Sequence, residues 1–105
     1  MSQLPGHYEK FLNQFPGVGD AYKALGGACR EAGPLDSKSL ALVKIGLAVG
    51  AGLEGATHSH VRRALEAGVT NEEIRHAVIQ GTTTIGFPRM MAGLAWVEDV
   101  LTTKV

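Results

Sequence analysis

The densest group of chemically capable side chains lies between Glu54 and Arg63, a segment that contains two histidines. Histidine exchanges protons near neutral pH because its unperturbed pKa is about 6.5, and a neighbouring carboxylate can raise its basicity or fix its tautomer. Imidazole and carboxylate groups are also common metal ligands. The segment therefore indicates acid–base chemistry or metal ligation.

Helix geometry separates the two histidines. At about 100° per residue, Glu54, His58 and Arg62 lie on one stripe, whereas Thr57 and His60 lie on another. Two helical histidines chelate one ion at i,i+4 spacing but point apart at i,i+2, so a metal site would need further residues. A surface contact, an acid–base role and metal ligation all stay open for the Glu54–His58 pair.

The stripe that carries His60 is otherwise mostly apolar, with Leu53, Ala56 and Ala64 on it. His60 is therefore expected to point toward packed protein or an enclosed pocket rather than bulk water. It is either a hydrogen-bonded core histidine or the proton carrier of a partly apolar pocket. Thr57, on the same stripe, is a candidate substrate contact.

Two cations stand in apolar surroundings. Lys44 lies in the middle of an apolar run, where a charge must be paired, reach an edge, or serve a function. It either pairs, within the chain or across a subunit contact, or holds a substrate carboxylate. Arg89 follows Phe87 and Pro88 and suits either a carboxylate clamp or a subunit contact. Cys29 is expected to be a small buried hydrophobic residue.

The spacing of apolar residues predicts an all-α bundle of about six helices and no strand. Asp36 is the expected N-cap of the third and central helix, and Thr70 to Glu73 has the form of a capping box. The helices are predicted over Tyr8 to Phe15, Val18 to Ala32, Ser37 to Gly50, Leu53 to Ala67, Asn71 to the run beginning at Thr82, and Pro88 to Leu101. The residues expected to face inward in the last two helices are Ile74, Ala77, Val78, Met91, Leu94, Ala95 and Val97 or Val100.

Composition narrows the class of protein. The chain is 45% hydrophobic but only 6% aromatic, which indicates one domain over residues 1–105 built from small, closely packed side chains. Ten basic residues balance ten acidic ones, so no nucleic-acid partner is expected. The apolar run from Leu40 to Leu53 is too short to span a membrane. No secretory signal is visible, so a cytoplasmic location is expected.

Three segments carry a likeness to a known family: LDSK at 35–38, HVRRALEAGVTNEEI at 60–74 and IGFP at 85–88. Together they resemble the carboxymuconolactone decarboxylase family, which includes the alkylhydroperoxidase D-like proteins. The resemblance covers about Leu35 to Leu101. It implies an all-helical fold that assembles into trimers or hexamers, with active sites at or near subunit contacts.

The peroxidase branch of that family uses a C-x-x-C pair, a histidine four residues further on, and a glutamate on the central helix. Matched outward from His60, the cysteine positions fall on Leu53 and Ala56, and the glutamate position falls on Ala41. Cys29, the only cysteine of the chain, lies elsewhere. The thiol pair that peroxide reduction requires is therefore missing.

The decarboxylase branch resembles this chain more closely, because it also lacks the cysteines, and its reaction needs no cofactor or metal. Loss of carbon dioxide from a small carboxylated lactone needs a cation to place the carboxylate and a proton donor. The donor would be His60, or His58 supported by Glu54. The candidate cations are Lys44, Arg62 and Arg89.

The resemblance thus predicts a cofactor-independent decarboxylase or related lyase that acts on a small carboxylated, lactone-like molecule. Two alternatives remain. The chain could be a catalytically inactive binding or scaffold member of the family, with His60 and Lys44 in structural roles. It could also serve redox metabolism without the C-x-x-C site, using Glu54, His58 and His60 with a metal or an external thiol donor.

Overall fold

The computed structural model describes residues 6–102, and these residues form six α-helices, one short 3-10 helix and no strand. The predicted all-α fold is therefore confirmed. The α-helices are α1 (Gly6–Gln14), α2 (Pro16–Glu31), α3 (Ser37–Gly50), α4 (Glu54–Glu66), α5 (Asn71–Ile79) and α6 (Phe87–Leu101), and the 3-10 helix spans Gln80–Thr83.

The chain forms two compact units, one ending at Leu35 and the other beginning at Asp36. The first contains α1 and α2, in which Gly19 is buried against Leu12. The second contains α3 to α6 and every candidate site residue named above. The single domain over residues 1–105 stays a prediction.

Two helix starts in the second unit are capped as the sequence predicts. The Asp36 carboxylate accepts a 2.8 Å hydrogen bond from the Ser39 amide at the start of α3, and this bond lowers the pKa of Asp36. At the start of α5, the Thr70 hydroxyl accepts from the Glu73 amide, and the Glu73 carboxylate accepts from the Thr70 amide. These reciprocal bonds form a complete capping box.

The core of the second unit is built from aliphatic side chains on α3 to α6. Ile45, Val61, Ile74 and Val97 are fully buried, one from each of the four helices. Two further bonds hold α5 to α6: the Arg75 guanidinium donates to both Glu98 carboxylate oxygens, at 2.6 and 2.9 Å. The four helices are therefore fixed to one another by packing and by one bidentate ion pair.

Two of the residues predicted to face inward in α6 do not do so. Met91 and Ala95 are exposed, whereas Met90, Gly93 and Val97 are buried. The periodicity was correct, but several phases of a short helix rich in apolar residues satisfy it equally well. Ile74, Val78 and Val97 are buried as predicted, while Ala77, Leu94 and Val100 are half-buried.

Cys29 is exposed, so the prediction that it is buried is wrong. It lies in α2 on a stripe whose other apolar members, among them Val18, Tyr22 and Leu25, are also exposed. The physical reason is that a unit of two helices encloses no interior of its own.

Among residues 6–102, no helix has the length and hydropathy needed to cross a bilayer.

Helix α6 approaches α3 closely at Gly93. A Cβ atom at this glycine would collide with the Val49 side chain and lie 2.9 Å from its Cγ2 atom. Gly46, on α3, has nothing within 4 Å of the same position. Position 93 therefore has no room for a larger side chain, whereas position 46 does.

We expect Gly93→Ala to lower the free energy of unfolding by about 1–3 kcal/mol because it overpacks the α3–α6 contact. The control Gly46→Ala should raise it by about 0.5–1 kcal/mol, since alanine is the better helix former. Urea unfolding of both variants measures these changes. Adding Val49→Ala should reduce the cost of Gly93→Ala, and equal costs in both backgrounds would contradict the packing explanation.

Candidate functional site

A tight turn joins α3 to α4. Gly52 has a φ of +74°, a conformation that favours glycine, and the following Leu53 amide donates a 2.9 Å hydrogen bond to the Ala48 carbonyl. A Cβ at Gly52 would also meet the Arg89 guanidinium, 3.1 Å from its Cζ atom. The turn brings the start of α4 back beside the end of α3.

A pocket of about 360 Å³ lies where the two helices meet. Its two polar side chains are Lys44 from α3 and His60 from α4, and both are half-buried. The rest of the wall is aliphatic: Leu47, Ala48, Ala51, Leu53 and Ala56. The structure therefore places two of the predicted site residues in one apolar cavity.

His60 and Lys44 form no hydrogen bond or ion pair with any other residue in the range 6–102. Burial lowers the pKa of His60 below its ordinary value, and the positive charges of Arg63 and Lys44 lower it further. An imidazole beside an ammonium group can exchange a proton with a bound ligand, and the ammonium group can bind an anion.

Leu53 and Ala56, which occupy the cysteine positions implied by the family resemblance, line the same pocket as His60. Ala41, at the implied glutamate position, instead packs against the core. Lys44 stands one helical turn beyond Ala41 on α3. The pocket thus combines a histidine, aliphatic side chains at the two cysteine positions that the resemblance implies, and a cation.

His58 points away from this pocket, as the helix geometry predicts, and lies against α6. Its Nε2 atom lies 3.1 Å from an Asp99 carboxylate oxygen, and Glu54 belongs to the same cluster, in which one donor atom per residue lies within 4.8 Å of the others. Asp99 was missed by sequence reasoning. It is 41 residues from His58, and only the packing of α6 on α4 reveals it.

The remaining candidates lie outside the pocket wall. Thr57 is fully buried, and its hydroxyl donates a 2.8 Å hydrogen bond to the Leu53 carbonyl, so it does not face a ligand. Arg62 is half-buried on the His58 side of α4. Arg89 is exposed beside Gly52, whose neighbours Ala51 and Leu53 line the pocket. Neither arginine lines the pocket, although Arg89 lies beside the turn at Gly52.

The fold and this pocket define a helical protein with a histidine and a lysine in an otherwise aliphatic cavity. Comparison with protein families agrees with this description, since residues 16–99 match the model of the carboxymuconolactone decarboxylase family. The chain belongs to that family, as the sequence resemblance predicted. No curated protein and no solved structure matches the chain.

We expect His60 to titrate below its ordinary pKa of about 6.5 in metal-free protein, since burial and two nearby cations disfavour imidazolium. Lys44→Met should move this pKa upward by removing one of the two charges. The control Lys38→Met removes a charge at the far end of α3 and should leave it unchanged. Histidine-selective NMR across the acid range measures all three values. An equal shift in both variants would contradict the specific effect of Lys44.

Proposed function

We propose that this protein is a cofactor-independent decarboxylase or related lyase whose substrate is a small carboxylated, lactone-like molecule. The observation that supports this function is the joint presence of Lys44 and His60 in one aliphatic pocket, with no partner for either among the described residues. Family membership supports the same reaction class.

Lys44 would hold the substrate by its carboxylate. An ammonium group with no ion-pair partner retains its full attraction for an incoming anion, and the aliphatic wall lowers the local dielectric, which strengthens that attraction. The lactone ring would lie against Leu47, Leu53 and Ala56, whose side chains offer no hydrogen bonds. This arrangement orients the scissile bond relative to His60.

The reaction breaks the bond between the ring carbon and its carboxylate and releases carbon dioxide. The bonding electron pair passes into the conjugated lactone carbonyl, and His60 delivers a proton to the carbon framework. One proton is consumed for each carbon dioxide released, and His60 recovers its proton from water. Arg89, beside the turn at Gly52, would attract the anionic substrate and hold a second carboxylate if one is present.

We expect His60→Gln to lower kcat by about 10²- to 10⁴-fold, the usual contribution of a positioned acid or base. Lys44→Met should mainly raise KM because it removes the anion-binding charge. The assay follows carbon dioxide release from a panel of small carboxylated lactones. His76→Gln, at an exposed position of α5, is the matched histidine control and should retain full activity.

Full activity in His60→Gln would eliminate this mechanism. If the wild-type chain binds the panel but converts none of it, the chain is the inactive binding member of the family instead. Binding is measured separately by calorimetry, so that the two outcomes are distinguished.

We also propose that the working form is a homo-oligomer, a trimer or a hexamer, in which a second copy covers the pocket. Leu47 and Leu53 line the cavity yet are 67% and 53% exposed, and Val43, one turn before Leu47 on α3, is 47% exposed. Apolar side chains clustered around a pocket mouth favour burial by a partner. Closure from outside would also exclude water from the reaction.

Val43→Glu should shift the chain from oligomer to monomer, because it places a charge in the contact without changing the pocket wall. Size-exclusion chromatography with light scattering measures the mass. Ser37→Glu adds the same charge in the exposed first turn of the same helix and should leave the assembly intact. A monomeric wild-type chain would refute the proposed assembly.

A further inference from the structure

We propose that Glu54, His58 and Asp99 bind one divalent transition-metal cation of the Zn²⁺ class, at a site on the face of α4 that packs toward α6. This site is separate from the pocket of Lys44 and His60. The inference goes beyond the proposed function and does not depend on it.

The positions of the three side chains support a metal site. Glu54 and His58 are one turn apart on α4, and Asp99 comes from α6, so the ligands belong to two helices. His58 Nε2 and Asp99 Oδ2 are 3.1 Å apart. Tetrahedral Zn²⁺ with bonds of about 2.0–2.2 Å requires a ligand separation of roughly 3.3 Å. Two ligands thus already have the required spacing, and the exposed Glu54 side chain is free to complete the set.

The charges of the two carboxylates also support this metal site. The Glu54 and Asp99 carboxylates converge within 4.8 Å, where like charges repel. Glu54 has no cationic partner among residues 6–102. A surface contact between His58 and Asp99 accounts for the positions of these two side chains, but it gives no role to the nearby Glu54. A divalent cation would neutralise both carboxylates at once.

The three ligand atoms also indicate which cation would bind at this site. One imidazole nitrogen and two carboxylate oxygens suit Zn²⁺ and similar first-row metals, whereas Mg²⁺ and Ca²⁺ prefer oxygen ligands alone. Three protein ligands would leave one coordination position for water.

The backbones that carry the ligands are held in place. Val61, one turn beyond His58, is fully buried, and Glu98, next to Asp99, is fixed by its bidentate bonds from Arg75. A site whose ligands come from rigid helices loses little entropy on binding. The metal would join α4 to α6 and so stabilise the helix that also carries His60.

The chain contains a matched control for this site. Glu72 and His76 on α5 repeat the Glu-x-x-x-His spacing of Glu54 and His58. Among the described residues, however, Glu54 and His58 converge with a third ligand, Asp99, whereas Glu72 and His76 belong to no such group of three. If helical spacing alone were sufficient, both pairs would bind metal equally.

The test is calorimetric titration of the full, tag-free and chelator-treated chain with ZnCl₂. We expect one ion per chain. His58→Gln and Asp99→Asn should each weaken binding by at least about tenfold, while His76→Gln should bind as the wild type does. Zn²⁺ should raise the thermal midpoint of the wild type and of His76→Gln but not that of His58→Gln.

Circular dichroism checks that each variant is folded, and the nearly isosteric Asp99→Asn provides a second measurement if His58→Gln is not. No one-to-one binding up to about 1 mM Zn²⁺, the weak end of measurable affinity, would overturn the proposal. So would equal losses in His58→Gln and His76→Gln. His60→Gln, which tests the proposed enzyme function, should retain Zn²⁺ binding, so failure of one proposal is distinguishable from failure of the other.

Discussion

The turn at Gly52 is the constraint on which both candidate sites depend. Its left-handed backbone and the bond from the Leu53 amide to the Ala48 carbonyl end α3 and start α4 within three residues. This fixes the rotation of α4 about its axis. One face then brings His60 to the pocket shared with α3, and another brings His58 to Asp99 on α6. A shift of one residue in α4 would turn both histidines by about 100° and separate each from its neighbours.

Small side chains allow the helices to pack this closely, but they also limit how much apolar surface the helices bury. Gly93 lets α6 lie directly on Val49, which a larger residue would prevent. Close helix contacts made by glycine and alanine, however, bury little apolar surface per residue, so a unit of about this size has a modest core. The same small core leaves the leucines around the pocket exposed. Packing against another copy would add the apolar burial that the isolated unit lacks.

Local signals allowed much of the fold to be predicted, and non-local contacts explain the rest. The caps at Asp36 and Thr70 depend on residues three positions apart, and both were identified from sequence. The divergence of His58 and His60 follows from helix geometry alone. Asp99 could not be predicted, because its approach to His58 depends on how α6 packs. The inward register of α6 and the exposure of Cys29 likewise depend on tertiary contacts rather than on periodicity.

The polarity of the pocket depends on the side chains at the two cysteine positions that the family resemblance implies. Leucine and alanine at positions 53 and 56 supply neither a nucleophile nor a hydrogen bond, but they remove water from one side of His60. Less water disfavours the charged imidazolium, which explains why burial has the largest effect on the pKa of His60. The same low-polarity wall strengthens the attraction of Lys44 for an anion. In the proposed function, the proton transfer by His60 and the anion binding by Lys44 would therefore both depend on the low polarity of this wall.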